Sequence, residues 1–351
     1  MESNPLLGVI LHAIGGFAAG SFYLPLKRIR SWAWESGWLV NGVFSWLIAP
    51  MVVALLTVPM LFSLLLGAPP SALMWTFFFG LLWGIGGLTF GLSVRYLGMS
   101  LGYGVALGFC AAFGTLVPAV YDGSIIRLLT TLPGWVVLSG IAACLLGIAV
   151  CGYAGHLKEL ALTKEEEKKQ DFHLVRGLMV ACFAGLMSAC MAFAFAAGKP
   201  VALAAQESGT APLWVNSAVL VVILLGGFIT NAVWCGYLLV TKGTWKDYGD
   251  SKGAPLGRNY TLAAAAGVIW YFQFMFYGMG STKMGAYDFT SWTLHMSFII
   301  LASNIWSLFL KEWRGAGRRA ISTLVVGILV ITLSTVLIGL GNYLQGAAGG
   351  H

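Results

Sequence analysis

The chain has 351 residues, of which 58% are hydrophobic and only 9% are charged, and its mean hydropathy is +0.83. Soluble proteins carry charge on about 25% of their residues, so this composition excludes an ordinary soluble domain and indicates a polytopic membrane protein. The formal charge of +7 comes from Lys and Arg residues that lie almost entirely in short loops, which argues against nucleic-acid binding.

Stretches without Lys, Arg, Asp or Glu locate the membrane-crossing helices, because about 20 helical residues cross the hydrocarbon layer. These stretches cover residues 3–26, 36–94, 96–121, 128–157, 177–198, 208–241, 259–282, 289–310 and 320–351. The second stretch has 59 residues and a turn signal at Gly67, Pro69, Pro70 and Ser71, so we expect it to form two helices. The sequence therefore predicts an all-α polytopic membrane protein with ten transmembrane helices.

The basic residues predict the orientation of these helices. Seventeen of the twenty Lys and Arg residues lie in the loops after the first, third, fifth, seventh and ninth predicted helices. Positively charged loops stay in the cytoplasm. We therefore expect both termini on the opposite, periplasmic side of the bilayer.

A weak internal repeat divides the chain into halves. At an offset of 187 residues three identities fall in register, pairing Trp83 with Trp270, Gly91 with Gly278, and Gly98 with Gly285. The offset aligns the third helix with the eighth, as expected for two halves of five helices each. Because five is an odd number, the two halves would have opposite orientations in the membrane. We expect a first repeat at 1–154, a charged cytoplasmic linker at 155–176 and a second repeat at 177–351. Inverted repeats are typical of secondary transporters, which work by alternating access.

The eighth and ninth helices carry the best candidate site. Trp270, Gln273 and Tyr277 share one face of the eighth helix, and Trp292 and His295 lie on the ninth. Aromatic faces pack against a pyranose ring while amide, hydroxyl and imidazole groups bind its hydroxyls, so this pattern predicts a small-sugar pocket. Each aromatic residue has a plain alternative in helix packing or in an interfacial belt.

Several titratable side chains could carry protons. Asp288 begins the ninth helix and is either a helix cap or a proton carrier, whereas His295 lies two turns deeper and suits a proton relay. His12 shares a face of the first helix with Tyr23. Glu35 begins the second helix near Arg28 and Arg30, and three roles stay open for it: a surface ion pair, a complement to the helix dipole, and a cytoplasmic proton exit.

Missing motifs narrow the function further. The sequence has no G-x-x-x-x-G-K-[ST], no H-E-x-x-H and no G-x-S-x-G, so neither an ATP site nor a common hydrolase site is predicted. The six cysteines lie in apolar stretches without metal-ligand spacing, and we expect inert thiols and no metal site. Transport would then be driven by an ion gradient. Protons are the natural coupling ion for carboxylate and imidazole groups, and Na⁺ remains an alternative.

Long blocks of the chain resemble a known family, the bacterial L-rhamnose/proton symporters. The blocks are FYLPLKRIRSWAWESGW at 22–38, WGIGG and RYLGMSLGYGVALG within 83–108, WYFQFMFYGMG and YDFTSWTLHMSF within 270–298, and LKEWRGAGRR at 310–319. The similarity extends from the first helix to the last loop. It implies a sugar permease of the drug/metabolite transporter superfamily in the bacterial inner membrane, which couples inward movement of a 6-deoxyhexose to protons without another cofactor.

The residue patterns and this resemblance together give the candidate site. The expected substrate-binding residues are His12, Tyr23, Trp83, Trp270, Gln273, Tyr277, Trp292 and His295, and the expected proton-coupling residues are Asp288, His295 and Glu35. We expect a monomer, or a weak homodimer through the peripheral fifth and tenth helices. Two alternatives remain open: an exporter or exchanger of amphipathic metabolites, which would show counterflow without pH dependence, and a membrane sugar sensor or enzyme, which would give no flux.

Overall fold

A computed structural model describes residues 4–97, 99–121, 123–162, 174–249, 253–311 and 313–348. Every regular element within these ranges is a helix. Residues 163–173, the centre of the predicted linker, lie outside the described residues, as does Gly98 of the predicted repeat.

The helices follow the apolar stretches of the sequence. They are α1 (Pro5–Ser21), α2 (Trp34–Thr57), α3 (Pro70–Leu97), α4 (Met99–Tyr121), α5 (Leu132–Leu162), α6 (Leu174–Ala197), α7 (Asn216–Lys242), α8 (Leu256–Ser281), α9 (Ser291–Phe309) and α10 (Gly317–Ala348). Each lies within a few residues of its predicted stretch, because a chain in lipid must satisfy its backbone hydrogen bonds internally. The 59-residue stretch at 36–94 is divided as expected, with a short helix at Leu61–Gly67 before α3.

Nine helices among the described residues are long and apolar enough to cross a membrane. The count becomes ten when Val105–Val120 of α4 and the short helix Ser124–Thr130, which are bent by 100°, are taken as one span. The chain is thus a multi-pass helical membrane protein.

Two helices are interrupted at prolines. The middle of α2 is a π-helix over Val43–Ile48, just before Pro50, which has no N–H to donate and whose ring crowds the preceding turn. Similarly, α1 ends at Ser21 and a short helix, Tyr23–Leu26, contains Pro25.

Most of the packing joins the first five helices to the last five. α3 packs on α6 and α7, α4 on α6, α8 on α1 and α2, α9 on α1, and α5 on α10. Glycines let several of these backbones approach closely. A methyl group added at Gly80 of α3 would collide with the carbonyl oxygen of Ile223 on α7, and one added at Gly267 of α8 would lie 2.5 Å from the carbonyl oxygen of Asn41 on α2.

Candidate functional site

Two imidazoles meet in the interior between α1, α8 and α9. The ring centroids of His12 and His295 are 6.0 Å apart. The ring of Tyr277 lies against both, 5.5 Å from His12 and 5.3 Å from His295, and Trp292 packs edge-on against Tyr277 at 5.5 Å. We call these four residues the imidazole cluster. The structure therefore brings together half of the eight predicted substrate-binding residues.

The imidazole cluster is buried, yet the ring nitrogens of both histidines have no hydrogen-bond partner. Buried polar groups in proteins are nearly always paired, and an unpaired one costs about 1–3 kcal/mol. Four unpartnered nitrogens at one place therefore indicate a site that binds something polar. An imidazole can donate, accept and carry a proton, so this site can handle both a hydroxylated ligand and protons.

Glycines make room for the two imidazoles. A methyl group at Gly280 of α8 would lie 2.8 Å from Cε1 of His12, and one at Gly15 of α1 would lie 3.0 Å from Cε1 of His295. Trp292 is held from the other side, because its indole N–H donates to the backbone carbonyl of Cys110 on α4 at 3.0 Å. The cluster thus depends on close packing of four helices.

The other predicted aromatic residues form a second group. Five rings from α2, α3 and α8 close a circuit, with centroids 5.2 to 6.2 Å apart, in the order Trp38, Trp46, Trp83, Phe274, Trp270 and back to Trp38. We call this circuit the aromatic box. Trp83 and Trp270 were expected to bind substrate, whereas Trp38 and Trp46 were not singled out in the sequence. Gln273 is buried on α8, three residues after Trp270 of the box and four residues before Tyr277 of the imidazole cluster.

Tyr23 is not brought to either group. Its side chain is 45% exposed, and its ring contacts Phe22 at 6.0 Å and lies 5.7 Å from Nζ of Lys27. Pro5–Leu26 is one span, and Tyr23 lies in its last turn, close to the basic loop that follows. A substrate-binding role for Tyr23 stays a prediction without support from its position.

Asp288 lies in the 3-10 segment Gly285–Thr290 and is exposed. Its Oδ1 accepts a hydrogen bond from Ser291 Oγ at 3.0 Å, and its carbonyl accepts one from the Ser291 N–H at the start of α9. The residue at the N-cap position of α9 is Thr290, and the contacts of Asp288 with Ser291 leave the helix cap and the proton carrier as open alternatives. The position leaves Asp288 accessible at the same end of the bundle as the imidazole cluster.

Glu35 is only 2% exposed, so the structure removes one of its alternatives, the surface ion pair with Arg28 or Arg30. Its carboxylate lies 3.4 Å from Nζ of Lys242 at the end of α7 and accepts a hydrogen bond from Thr244 at 3.0 Å. The partner lies 207 residues away in sequence, which is why charge spacing along the chain could not identify it. The pair joins the start of α2 to the end of α7, at the end of the bundle opposite the imidazole cluster.

Sequence reasoning missed a group of polar residues on α2, whereas Tyr271 on α8 lies in the block WYFQFMFYGMG that resembles the symporter family. The side chains of Asn41, Ser45 and Tyr271 and the indole N–H of Trp46 are buried without partners. A signal was present, since Asn41 and Ser45 are polar residues one helical turn apart within an apolar stretch, followed by Pro50. Within the described ranges, His, Cys, Asp and Glu do not gather in a group of three that could hold a metal ion.

Comparison with known proteins gives a consistent result. A family model described as L-rhamnose-proton symport protein matches residues 1–343. An L-rhamnose-proton symporter of Cronobacter sakazakii (strain ATCC BAA-894) is 40% identical over 344 residues, which cover 97% of this chain and 99% of the relative. L-rhamnose-proton symporters of Yersinia pestis (strain Pestoides F) and Yersinia pseudotuberculosis serotype O:3 (strain YPIII) are each 39% identical, with the same coverage.

Proposed function

Since the chain belongs to the L-rhamnose-proton symport protein family, we propose that it imports L-rhamnose or a related 6-deoxyhexose together with protons across the bacterial inner membrane. Members of this family are transporters and not enzymes. The observation that carries the proposal is the buried imidazole cluster, whose unpartnered nitrogens offer both hydrogen bonds and proton binding.

Coupling follows from the surroundings of the two imidazoles. A charged group is costly in an apolar interior unless polar partners compensate for the water it has lost. A sugar beside His12 and His295 supplies hydroxyl and ring oxygens that accept hydrogen bonds from a protonated imidazole. Proton and sugar therefore stabilise each other's binding, and by linkage each raises the affinity for the other by the same factor. The favoured forms of the protein are then the empty one and the one that holds both sugar and proton. Symport requires this, because the two substrates must cross the membrane together.

The carboxylates act at the two ends of this proton path. Asp288 is exposed and lies seven residues before His295 on the chain, a rise of about 10 Å along a helix, so we assign it the supply of protons to the cluster. Glu35 lies at the opposite end, and opening its contact with Lys242 would free a carboxylate to receive the proton before release.

The proposal includes ten helices arranged as two inverted repeats, as in the drug/metabolite transporter superfamily, with both termini periplasmic. The packing pattern supports the repeats. In two equivalent repeats each helix of α1–α5 corresponds to the helix five places later, so each packed pair should have an equivalent pair. The pair α3–α6 corresponds to α8–α1, α4–α6 to α9–α1, and α3–α7 to α8–α2. All six pairs are in contact.

Two glycines support the same symmetry at the level of single residues. Gly80 and Gly267 differ by the 187-residue offset that aligns Trp83 with Trp270. Each lies directly against the backbone of the neighbouring helix, Gly80 against Ile223 on α7 and Gly267 against Asn41 on α2. Two halves that rock about equivalent contacts are the basis of alternating access.

Uptake into proteoliposomes tests the function. Labelled L-rhamnose is expected to accumulate inside vesicles when the outside is acidified, and to equilibrate without accumulating when a protonophore removes the gradient. Accumulation that is the same with and without the protonophore would refute proton coupling. Accumulation that instead follows an imposed Na⁺ gradient would identify the other ion.

Histidine variants test the site. His295→Gln and His12→Gln keep a hydrogen-bonding side chain but cannot carry a proton, so we expect gradient-driven accumulation to be lost while sugar exchange continues. His156→Gln is the matched control, because His156 is exposed near the end of α5. Full accumulation in both cluster variants would remove the imidazoles from the coupling role.

A further inference from the structure

An unexplained polar group lies halfway along the membrane-spanning helices. Six buried side-chain atoms on α2 and α8 have no hydrogen-bond partner; they are Nδ2 and Oδ1 of Asn41, Oγ of Ser45, Nε1 of Trp46, Nε1 of Trp270 and the hydroxyl of Tyr271. In contrast, the indole N–H of Trp38 in the same region donates to Oδ1 of Asn231 at 3.1 Å. The bilayer core offers no water to these six atoms, so each one is costly to leave unpaired.

The π-helical segment of α2 accounts for the position of these groups on α2. Pro50 prevents a regular α-helix in the preceding turn, and the π-helix over Val43–Ile48 inserts an extra residue there. Ser45 and Trp46 lie within the π-helix and are buried, although their neighbours Phe44 and Leu47 are only partly so. Such wide turns are frequent at functional sites.

α8 packs against this part of α2. The backbone of Asn41 and Ser45 lies against Gly267, where an added methyl group would be 2.5 Å from the Asn41 carbonyl oxygen and 3.1 Å from the Ser45 nitrogen. Tyr271 lies one turn after Gly267 on the same face of α8 and is fully buried. Trp270 and Trp46 belong to the aromatic box, with Trp38 between them at 6.1 and 6.0 Å.

The chemistry of the six atoms suits a neutral polyol. The indoles donate, the amide donates and accepts, and the two hydroxyls do either, so the set is a mixture of neutral donors and acceptors. A cation would require acceptors only, and an anion donors only. Tryptophan faces beside such groups pack against the C–H surface of a pyranose.

From this geometry we infer that the substrate sugar has a second binding site, which it reaches from the imidazole cluster. This midplane site is formed by the aromatic box together with Asn41, Ser45 and Tyr271. Tyr271 is near the centre of α8, Leu256–Ser281, and Tyr277 of the imidazole cluster lies about 9 Å farther along the helix axis. Transporter substrate sites lie at the midplane beside interrupted helices. This inference rests on the proposed function and names further sugar-binding residues for it.

Two single-hydroxyl deletions test the site. Tyr271→Phe and Ser45→Ala remove hydroxyls that have no partner in the structure, so both variants should be at least as stable as the wild type without sugar. We expect each to bind L-rhamnose about threefold to tenfold more weakly, the effect of one lost hydrogen bond. Tyr237→Phe, on the exposed face of α7, is the matched control and should bind like the wild type.

Binding is measured by titrating purified protein with L-rhamnose while following tryptophan fluorescence, with calorimetry as the second readout. Affinities of both variants within twofold of the wild type overturn this inference and leave the proposed function intact, provided that the wild type takes up sugar along a proton gradient. A wild type that neither binds nor takes up L-rhamnose overturns both. Loss of affinity in the two variants but not in Tyr237→Phe supports the site.

Discussion

Replacement of Gly80 by alanine tests the close contact between α3 and α7. An added methyl group at Gly80 collides with the carbonyl oxygen of Ile223 and lies 3.0 Å from its carbonyl carbon. Gly87 lies seven residues later on the same helix, is exposed, and has no atom within 4 Å of an added methyl group. The two substitutions are chemically identical, so their comparison isolates the interhelical contact.

The magnitude follows from the geometry. Ordinary carbon contacts begin near 3.4 Å, so α3 and α7 must separate by about 1 Å, and overpacking of this kind costs about 1–3 kcal/mol. Alanine gains up to about 1 kcal/mol over glycine in a helix. That gain is common to both variants and cancels between them. Gly80→Ala should therefore be about 1–3 kcal/mol less stable than Gly87→Ala.

Unfolding in a denaturing-detergent titration, followed by tryptophan fluorescence, measures this difference. The repeat predicts the same result for the second half, with Gly267→Ala less stable than Gly257→Ala, because Gly257 has no atom within 4 Å of an added methyl group. Equal stabilities of Gly80→Ala and Gly87→Ala would show that the close approach of α3 to α7 is not present in the folded protein.

Three further predictions concern buried side chains. Lys242→Ala should lower the free energy of unfolding by about 1 kcal/mol relative to Lys246→Ala, because it leaves the Glu35 carboxylate buried without its cation. The effect is no larger because Lys242 is 54% exposed and its charge is screened by solvent. A double-mutant cycle with Glu35→Gln measures the coupling energy, and a value of zero refutes the prediction. Trp292→Phe should lower the free energy of unfolding by about 1 kcal/mol, because it removes the hydrogen bond from the indole N–H to the Cys110 carbonyl. An unchanged free energy of unfolding would show that this hydrogen bond does not stabilise the protein. Four thiols are buried, those of Cys110, Cys144, Cys190 and Cys235. Maleimide should label none of them in the folded protein and all of them after denaturation, and mass spectrometry of the labelled peptides measures this.

The helices could be predicted from the sequence because the bilayer restricts the choices. Within lipid only structures that satisfy their own backbone are stable, so uncharged apolar stretches of sufficient length become helices. The stretch at 259–282, for example, corresponds to α8 at Leu256–Ser281. The turn signal at Gly67 to Ser71 likewise places the start of α3 at Pro70.

The candidate site was only partly predictable. His12, Tyr277, Trp292 and His295 were found because polar or aromatic residues in apolar helices are conspicuous, and the structure brings them together. The role of Tyr23 stays a prediction: the first span continues to Leu26 as expected, but the Tyr23 side chain is 45% exposed and lies beside Lys27.

The sequence alone determined that the chain is a bundle of apolar helices with short basic loops, because hydrophobicity and charge are properties of each segment. Only the tertiary structure decided which polar atoms meet and which remain without partners. The pairing of Glu35 with Lys242 and the isolation of Asn41, Ser45 and Tyr271 depend on how distant helices pack and on the π-helix before Pro50. Hydrogen-bond satisfaction is a property of three-dimensional neighbours, and residues that are adjacent in the bundle can lie more than 200 positions apart in the chain.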